Sequence, residues 1–221
     1  MCFKKHLEIR LFRTFYLIKS IHLMSIVPIV VLNFIIPFIC FITFKKYGFS
    51  TIFQEEVREI FLLTVPLFCF WWSAFVLREY LEGIGNELLF STYKCNLYKE
   101  IFVLFIVYIL NFTLVFSPYC FKFKTFWILY VWIFIACNFI FNAMYLMSIL
   151  SKSITFSLTV CFVYCLINYS PSTVSSIPFI YGSAKGYDLA VEFKYVYFPM
   201  MLLGILFWAL GCFISKKRLT N

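Results

Sequence analysis

The sequence has little charge. Only 13% of its 221 residues are Asp, Glu, Lys or Arg, while 63% are hydrophobic and 31 are Phe. Soluble domains run at about 25% charged and 45–50% apolar. That contrast, with a mean hydropathy of +0.93, excludes a soluble globular fold and leaves no room for a separate soluble domain. The chain has only two histidines, His6 and His22, and no His-Glu metal box. It has no GxxxxGK[ST] run, so it cannot cradle ATP in a phosphate loop. No Ser, Cys or Thr stands in a pattern that supplies a nucleophile with a base. Nine cysteines are present, at 2, 40, 69, 95, 120, 137, 161, 165 and 212, but no CxxC. Most fall inside apolar runs, where Cys behaves as a small hydrophobe. Cys161 and Cys165, one helical turn apart, match neither a disulfide in a straight helix nor a metal box.

What is present is a series of long apolar runs at 21–44, 60–77, 101–116, 126–150, 154–169 and 195–214. A membrane-crossing helix needs about 20 apolar residues, so the fifth run is short. The pattern predicts an all-α integral membrane protein of six transmembrane helices. The first run is too long for a signal-peptide core and lacks a small-residue cleavage site. Pro28 and Pro37 predict bends in it. Residues 45–59 read as a polar loop, Trp71-Trp72 as an aromatic interface mark, and Ser117-Pro118 as the end of the third run.

Residues 1–20 carry Lys4, Lys5, Arg10, Arg13 and Lys19, with Phe3, Leu7, Leu11, Phe15 and Ile18 at helical spacing. They read as a basic interfacial helix, or as a plain positive flank that orients the first span. The segment 170–193 combines Pro171, Pro178, Gly182 and Gly186 with serines around an apolar core at Ile177. It reads as a re-entrant external element of broken helices. Asn138 and Asn142 share one face of the fourth run. Such pairs hold helices together or, alternatively, contact a substrate. Asn138, Asn142 and Ile177 are therefore the candidate substrate-path residues.

The N-terminus, the 78–100 loop, the 151–153 turn and the C-terminus hold 12 Lys/Arg, and the remaining loops hold 7. This bias places both termini in the cytoplasm of a multi-pass cell-membrane protein. The net charge of +9 then points to anionic lipids, not to nucleic acid. The apolar runs contain no Asp, Glu, Lys or Arg between their ends. Ion-coupled transporters generally place ionisable groups at mid-membrane depth, so any work this protein does is powered from outside the chain.

The densest polar stretch runs from Arg78 to Thr92 and includes Glu79, Glu82 and Glu87. As a helix it puts Leu81, Leu88 and Leu89 on one face, with Gly83 and Gly85 as a bend. It is a short acidic helix offered to a cytoplasmic partner, or an ordinary solvated loop. The Glu55-Glu56 pair resembles the start of the EExxxR box of intramembrane CAAX-type proteases. Ile60 stands where the Arg belongs and no later His boxes follow, which excludes that reading.

The stretch from Arg78 resembles the loop after the second span in type-two ABC exporter permeases. That loop reads Arg-Glu, a few residues, Gly-Thr, an acidic residue, Leu-Leu and Ser/Thr-Pro. Arg78, Glu79, Gly83, Leu88, Leu89 and Ser91 match. Ile84, Asn86 and Thr92 depart from it, and Glu87 supplies the acid one position late. With the span count, the resemblance covers nearly the whole chain. It implies a permease that pairs with an identical or different second permease subunit above two ABC ATP-binding subunits. It implies no cofactor in this chain, with ATP and Mg on the partner subunit. It also implies that this chain is not itself an enzyme. The ATPase-coupling residues it implies are Arg78, Glu79, Glu82, Gly83, Asn86, Glu87, Leu88, Leu89 and, in the neighbouring turn, Lys152. The family exports lipids, glycans, drugs and antimicrobial peptides. The small size of the chain leads one to expect an amphiphile or peptide. The alternative expectation is a non-transporting scaffold, sensor or immunity protein.

Overall fold

A computed structural model describes residues 26–82, 97–169 and 196–220. The segments 1–25, 83–96 and 170–195 lie outside them. The expected interfacial helix and re-entrant element are therefore not among the described residues. Within those residues the fold is wholly helical, in seven helices. They are α1 (Val27–Tyr47), α2 (Thr51–Phe68), α3 (Trp71–Leu81), α4 (Leu97–Lys122), α5 (Thr125–Ser151), α6 (Ile154–Tyr169) and α7 (Phe198–Thr220).

The two prolines of α1 bracket an irregularity. Residues Val31–Ile35 wind as a π turn, next to Pro37, which has no N–H to give to the helix ladder. Asn33 sits in that turn and donates Nδ2 to the Ile29 carbonyl at 2.9 Å. Gly48, at φ 60°, then ends α1. A side chain there would be strained, so glycine is the residue that permits the tight reversal. Ser50 caps α2 by accepting from the Phe53 N–H at 3.3 Å. The region expected to be a polar loop over 45–59 is thus helical on both sides of a three-residue turn. The cap at Ser50 starts the helix nine residues before the apolar run does.

The second crossing spans Thr51–Leu81, 31 residues, or about 46 Å if straight. It breaks at Cys69-Phe70, three residues after Pro66. Inside a bilayer the freed carbonyls need internal partners. Tyr108 donates its hydroxyl to the Val65 carbonyl at 2.7 Å, and the Cys69 thiol reaches the Pro66 carbonyl at 3.1 Å. Trp71 and Trp72 follow this break. Trp72 is buried with its ring edge-on to Tyr108. Both tryptophans pack the broken segment, Trp71 against Phe68 and Phe75.

The third crossing does not stop at Ser117-Pro118; α4 continues to Lys122. Pro118 leaves the Leu114 carbonyl without its helical donor. The Ser117 hydroxyl supplies one at 3.1 Å. α4 then meets α5 through a ladder of rings. Phe112 stacks on Tyr130 at 5.6 Å, Phe116 on Phe126 at 5.7 Å, and Phe61 of α2 meets Phe116 edge-on at 4.7 Å. Offset and edge-on pairs of this kind contribute about 0.5–1.5 kcal/mol each beyond their buried area.

α5 is the central helix and packs against α2, α4, α6 and α7. The α7 interface is the closest. A Cβ at Gly211 would fall 2.7 Å from the Tyr145 ring, and one at Gly204 would fall 3.3 Å from Asn138 Oδ1. Seven residues separate these glycines, so they lie on one helical face and let the two backbones approach. The outward faces of α1 and α7 carry Phe34, Phe38, Leu206 and Phe213 in the open. Lipid covers such faces in a membrane protein.

Candidate functional site

Glu82 is the C-cap of α3. Its carboxylate does two things. Oε2 lies 3.6 Å from Arg78 Nε, one turn back on the same helix. Oε1 accepts the backbone N–H of Ile154 at 2.8 Å. Ile154 opens α6, and the first N–H groups of a helix have no partner within it. The positive end of the helix dipole adds to the attraction for a carboxylate. Arg78 leaves 63% of its side chain exposed and Glu82 leaves 31%, so solvent screens the ion pair and the bond to Ile154 dominates the geometry.

The turn that presents Ile154 is itself ordered by serines. Ser151 Oγ donates to the Met147 carbonyl at 2.8 Å and accepts from the Ser153 N–H at 3.2 Å. Ser153 Oγ accepts from the Phe156 N–H at 3.4 Å, which caps α6. Between them Lys152 adopts φ 55° and stands exposed. At the same end of the bundle, Tyr80 donates its hydroxyl to Glu100 Oε2 at 2.6 Å. That bond ties the last turn of α3 to the first turn of α4. Ser73 reaches the Ile101 carbonyl at 3.3 Å.

Four of the nine expected coupling residues are thus placed. Arg78, Glu79, Glu82 and Lys152 lie on one end of the bundle, and Glu82 physically joins the two polar segments that hold them. Gly83, Asn86, Glu87, Leu88 and Leu89 lie outside the described residues. Two details differ from expectation. Arg78–Leu81 is the final turn of α3 rather than part of a separate acidic helix. Leu81 is half-buried against the protein's own core rather than standing wholly on an outward face.

Asn138 and Asn142 are brought together, with Tyr98. Asn142 Nδ2 donates to Asn138 Oδ1 at 2.9 Å and to the Asn138 carbonyl at 3.0 Å. Tyr98 of α4 donates to Asn142 Oδ1 at 2.9 Å. Asn142 is 2% exposed. Tyr98 is itself packed on Tyr145 at 5.1 Å and on Trp208 at 6.2 Å. The pair therefore joins α4, α5 and, through Gly204, α7. Ile177 lies outside the described residues.

The sequence reading missed Tyr98, Tyr80, Glu100 and the pair Asn33–Asn111, in which Asn33 Nδ2 donates to Asn111 Oδ1 at 3.3 Å. Tyr80, Tyr98 and Glu100 flank apolar runs and Asn33 and Asn111 lie inside them; in either place a polar residue looks unremarkable until its partner from another helix is known. Among the described residues no group of His, Cys, Asp or Glu is placed to hold a metal ion.

This fold defines an all-helical membrane protein. Five helices are long and apolar enough to cross a bilayer, and a sixth, α6, is shorter. In comparisons with known proteins, no family model, curated protein or solved structure matches the chain.

Proposed function

We propose that the chain is the membrane-spanning subunit of an ATP-driven exporter that moves an amphiphilic or hydrophobic substrate outward. A separate ATP-binding subunit hydrolyses ATP at the end of the bundle that carries Arg78, Glu79, Glu82 and Lys152. The observation that carries this reading is the Glu82–Ile154 bond. It makes the end of α3 and the start of α6 one mechanical unit, so a push on either moves both. Since α6 packs on α5, the push is passed to the central helix. In this reading both termini are cytoplasmic, the chain pairs with a second permease subunit, and Glu79 and Lys152 offer opposite charges to the ATPase.

A second reading is a non-transporting scaffold or immunity protein. The Tyr98–Asn142–Asn138 chain of bonds favours it, because it fastens α4, α5 and α7 in place.

Co-reconstitution with an ATP-binding subunit encoded beside the chain separates the two. The exporter reading expects ATP-dependent accumulation of a fluorescent amphiphilic peptide in inside-out vesicles. It also expects loss of that transport in Glu79→Arg, an exposed change worth no more than about 0.5 kcal/mol of stability. A well-folded complex that moves nothing supports the scaffold, and a Glu79→Arg variant that transports normally removes Glu79 from the coupling site.

A further inference from the structure

At the opposite end of the bundle from Glu82, α1 and α4 enclose an open cleft of about 450 Å³. Its volume lies within the range of about 300–1,000 Å³ of small-molecule sites. Pro37 and Phe44 of α1, Phe49 and Phe53 around the α1–α2 turn, and Pro118 and Tyr119 of α4 form its walls. Facing prolines, each without an N–H, and six aromatic rings make it apolar along its depth.

The mouth is different. Lys122 lines the cleft and holds Nζ 4.6 Å above the Phe49 ring. Lys45 holds Nζ 4.9 Å above the ring of Phe41, another lining residue. Ring faces attract cations and keep the ammonium groups at the rim. Neither Lys45 nor Lys122 forms an ion pair with a carboxylate among the described residues. One cation, Lys122, thus lines an apolar slot, and a second, Lys45, stands over the Phe41 ring at its edge, at the depth where a helix end meets the headgroup region. Long basic side chains favour that depth, stem in the apolar layer and charge at the surface.

We propose that this cleft is a site for one anionic phospholipid of the bilayer. Its phosphate lies between Lys45 and Lys122, and one acyl chain runs down the cleft between Pro37 and Pro118. A neutral lipid fits the slot but leaves both cations without an anion. A free phosphate meets the cations but leaves the rings uncovered. The inference is independent of the exporter reading, because it concerns the other end of the bundle and asks only that the protein sit in a bilayer.

The test uses the full-length protein purified in detergent and titrated with phosphatidylglycerol or phosphatidylcholine under native mass spectrometry. Wild type retains phosphatidylglycerol preferentially. Removing two surface cations in Lys45→Gln with Lys122→Gln lowers that preference by roughly tenfold or more. Lys99→Gln, exposed at the far end of α4, leaves it unchanged. Inorganic phosphate does not displace the lipid. As a second readout, phosphatidylglycerol with a diazirine on the headgroup-proximal part of an acyl chain labels Phe44, Phe53 or Tyr119. Equal retention of the two lipids by wild type, an undiminished preference in the double variant, or labelling confined to the outer faces of α1 and α7 overturns the proposal.

Discussion

Glu82 and Ile154 are 72 positions apart in sequence, and a carboxylate oxygen of the first accepts the amide hydrogen of the second at 2.8 Å. The bond gives Glu82 an internal role as the cap of α6, which changes what its mutation reports. Replacing an N-terminal capping acceptor by Ala costs about 0.5–2 kcal/mol, and the lost dipole interaction about 0.3–1 kcal/mol. Glu82→Ala should therefore lower the melting temperature of the detergent-solubilised protein. Glu82→Gln, which keeps a carbonyl oxygen, should lower it less. Glu82→Lys should lower it most, because it sets a cation against a helix N-terminus. Equal melting temperatures for wild type and Glu82→Lys would show that the cap carries no stability.

The contrast with Glu79 shows what was legible in the sequence. Arg78, Glu79 and Glu82 stand out because they are polar residues in an apolar chain, and composition alone flags them. Which of them faces the protein and which faces water follows from the angle at which α3 ends beside α6. That angle depends on the break at Cys69-Phe70, which the run of apolar residues from 60 to 77 does not register. The same limit applies at the helix boundaries. The long apolar helices were readable from hydrophobicity, yet α2 and α4 outrun their apolar runs because Ser50 and Ser117 satisfy backbone groups that a hydropathy argument does not count.

The Tyr98–Asn142 bond predicts a measurable coupling between α4 and α5. Interhelical hydrogen bonds in membranes contribute about 0.6–2 kcal/mol. A double-mutant cycle of Tyr98→Phe and Asn142→Leu, read by chemical denaturation in mixed micelles, should give a coupling energy in that range. Additive effects of the two changes would mean that the bond does not hold the helices together.

Gly211 and Gly204 should respond differently to the same methyl group. At Gly211 the new carbon meets the ring of Tyr145, which is 1% exposed and has nowhere to retreat. At Gly204 it meets the Asn138 carboxamide oxygen at 3.3 Å, which needs to give only slightly. Overpacking of a closed site costs about 1–3 kcal/mol. Gly211→Ala should thus destabilise the protein by more than Gly204→Ala in thermal unfolding, and Gly211→Val by more again. A reversed order would place Gly211 away from the α5 contact.

Orientation remains the premise on which the coupling site depends, and the fold shows how to measure it. Cys120 looks like a natural reporter, since it sits in the last two turns of α4, but only 3% of it is exposed. A thiol reagent would fail to reach it from either side, and silence there would carry no information. Glu79 and Lys124 are both exposed and stand at opposite ends of the bundle. Introduced into a background with the native cysteines replaced, Glu79→Cys and Lys124→Cys each offer a reactive group at a known end. The excess of Lys and Arg on the side of Glu79 predicts that this side faces the cytoplasm. In intact cells a membrane-impermeant maleimide should then label Lys124→Cys at once and Glu79→Cys only after permeabilisation. The opposite pattern would turn Arg78, Glu79, Glu82 and Lys152 away from any cytoplasmic ATPase. That outcome removes the exporter reading, yet it leaves the Glu82–Ile154 cap and the lipid cleft beside Lys122 intact.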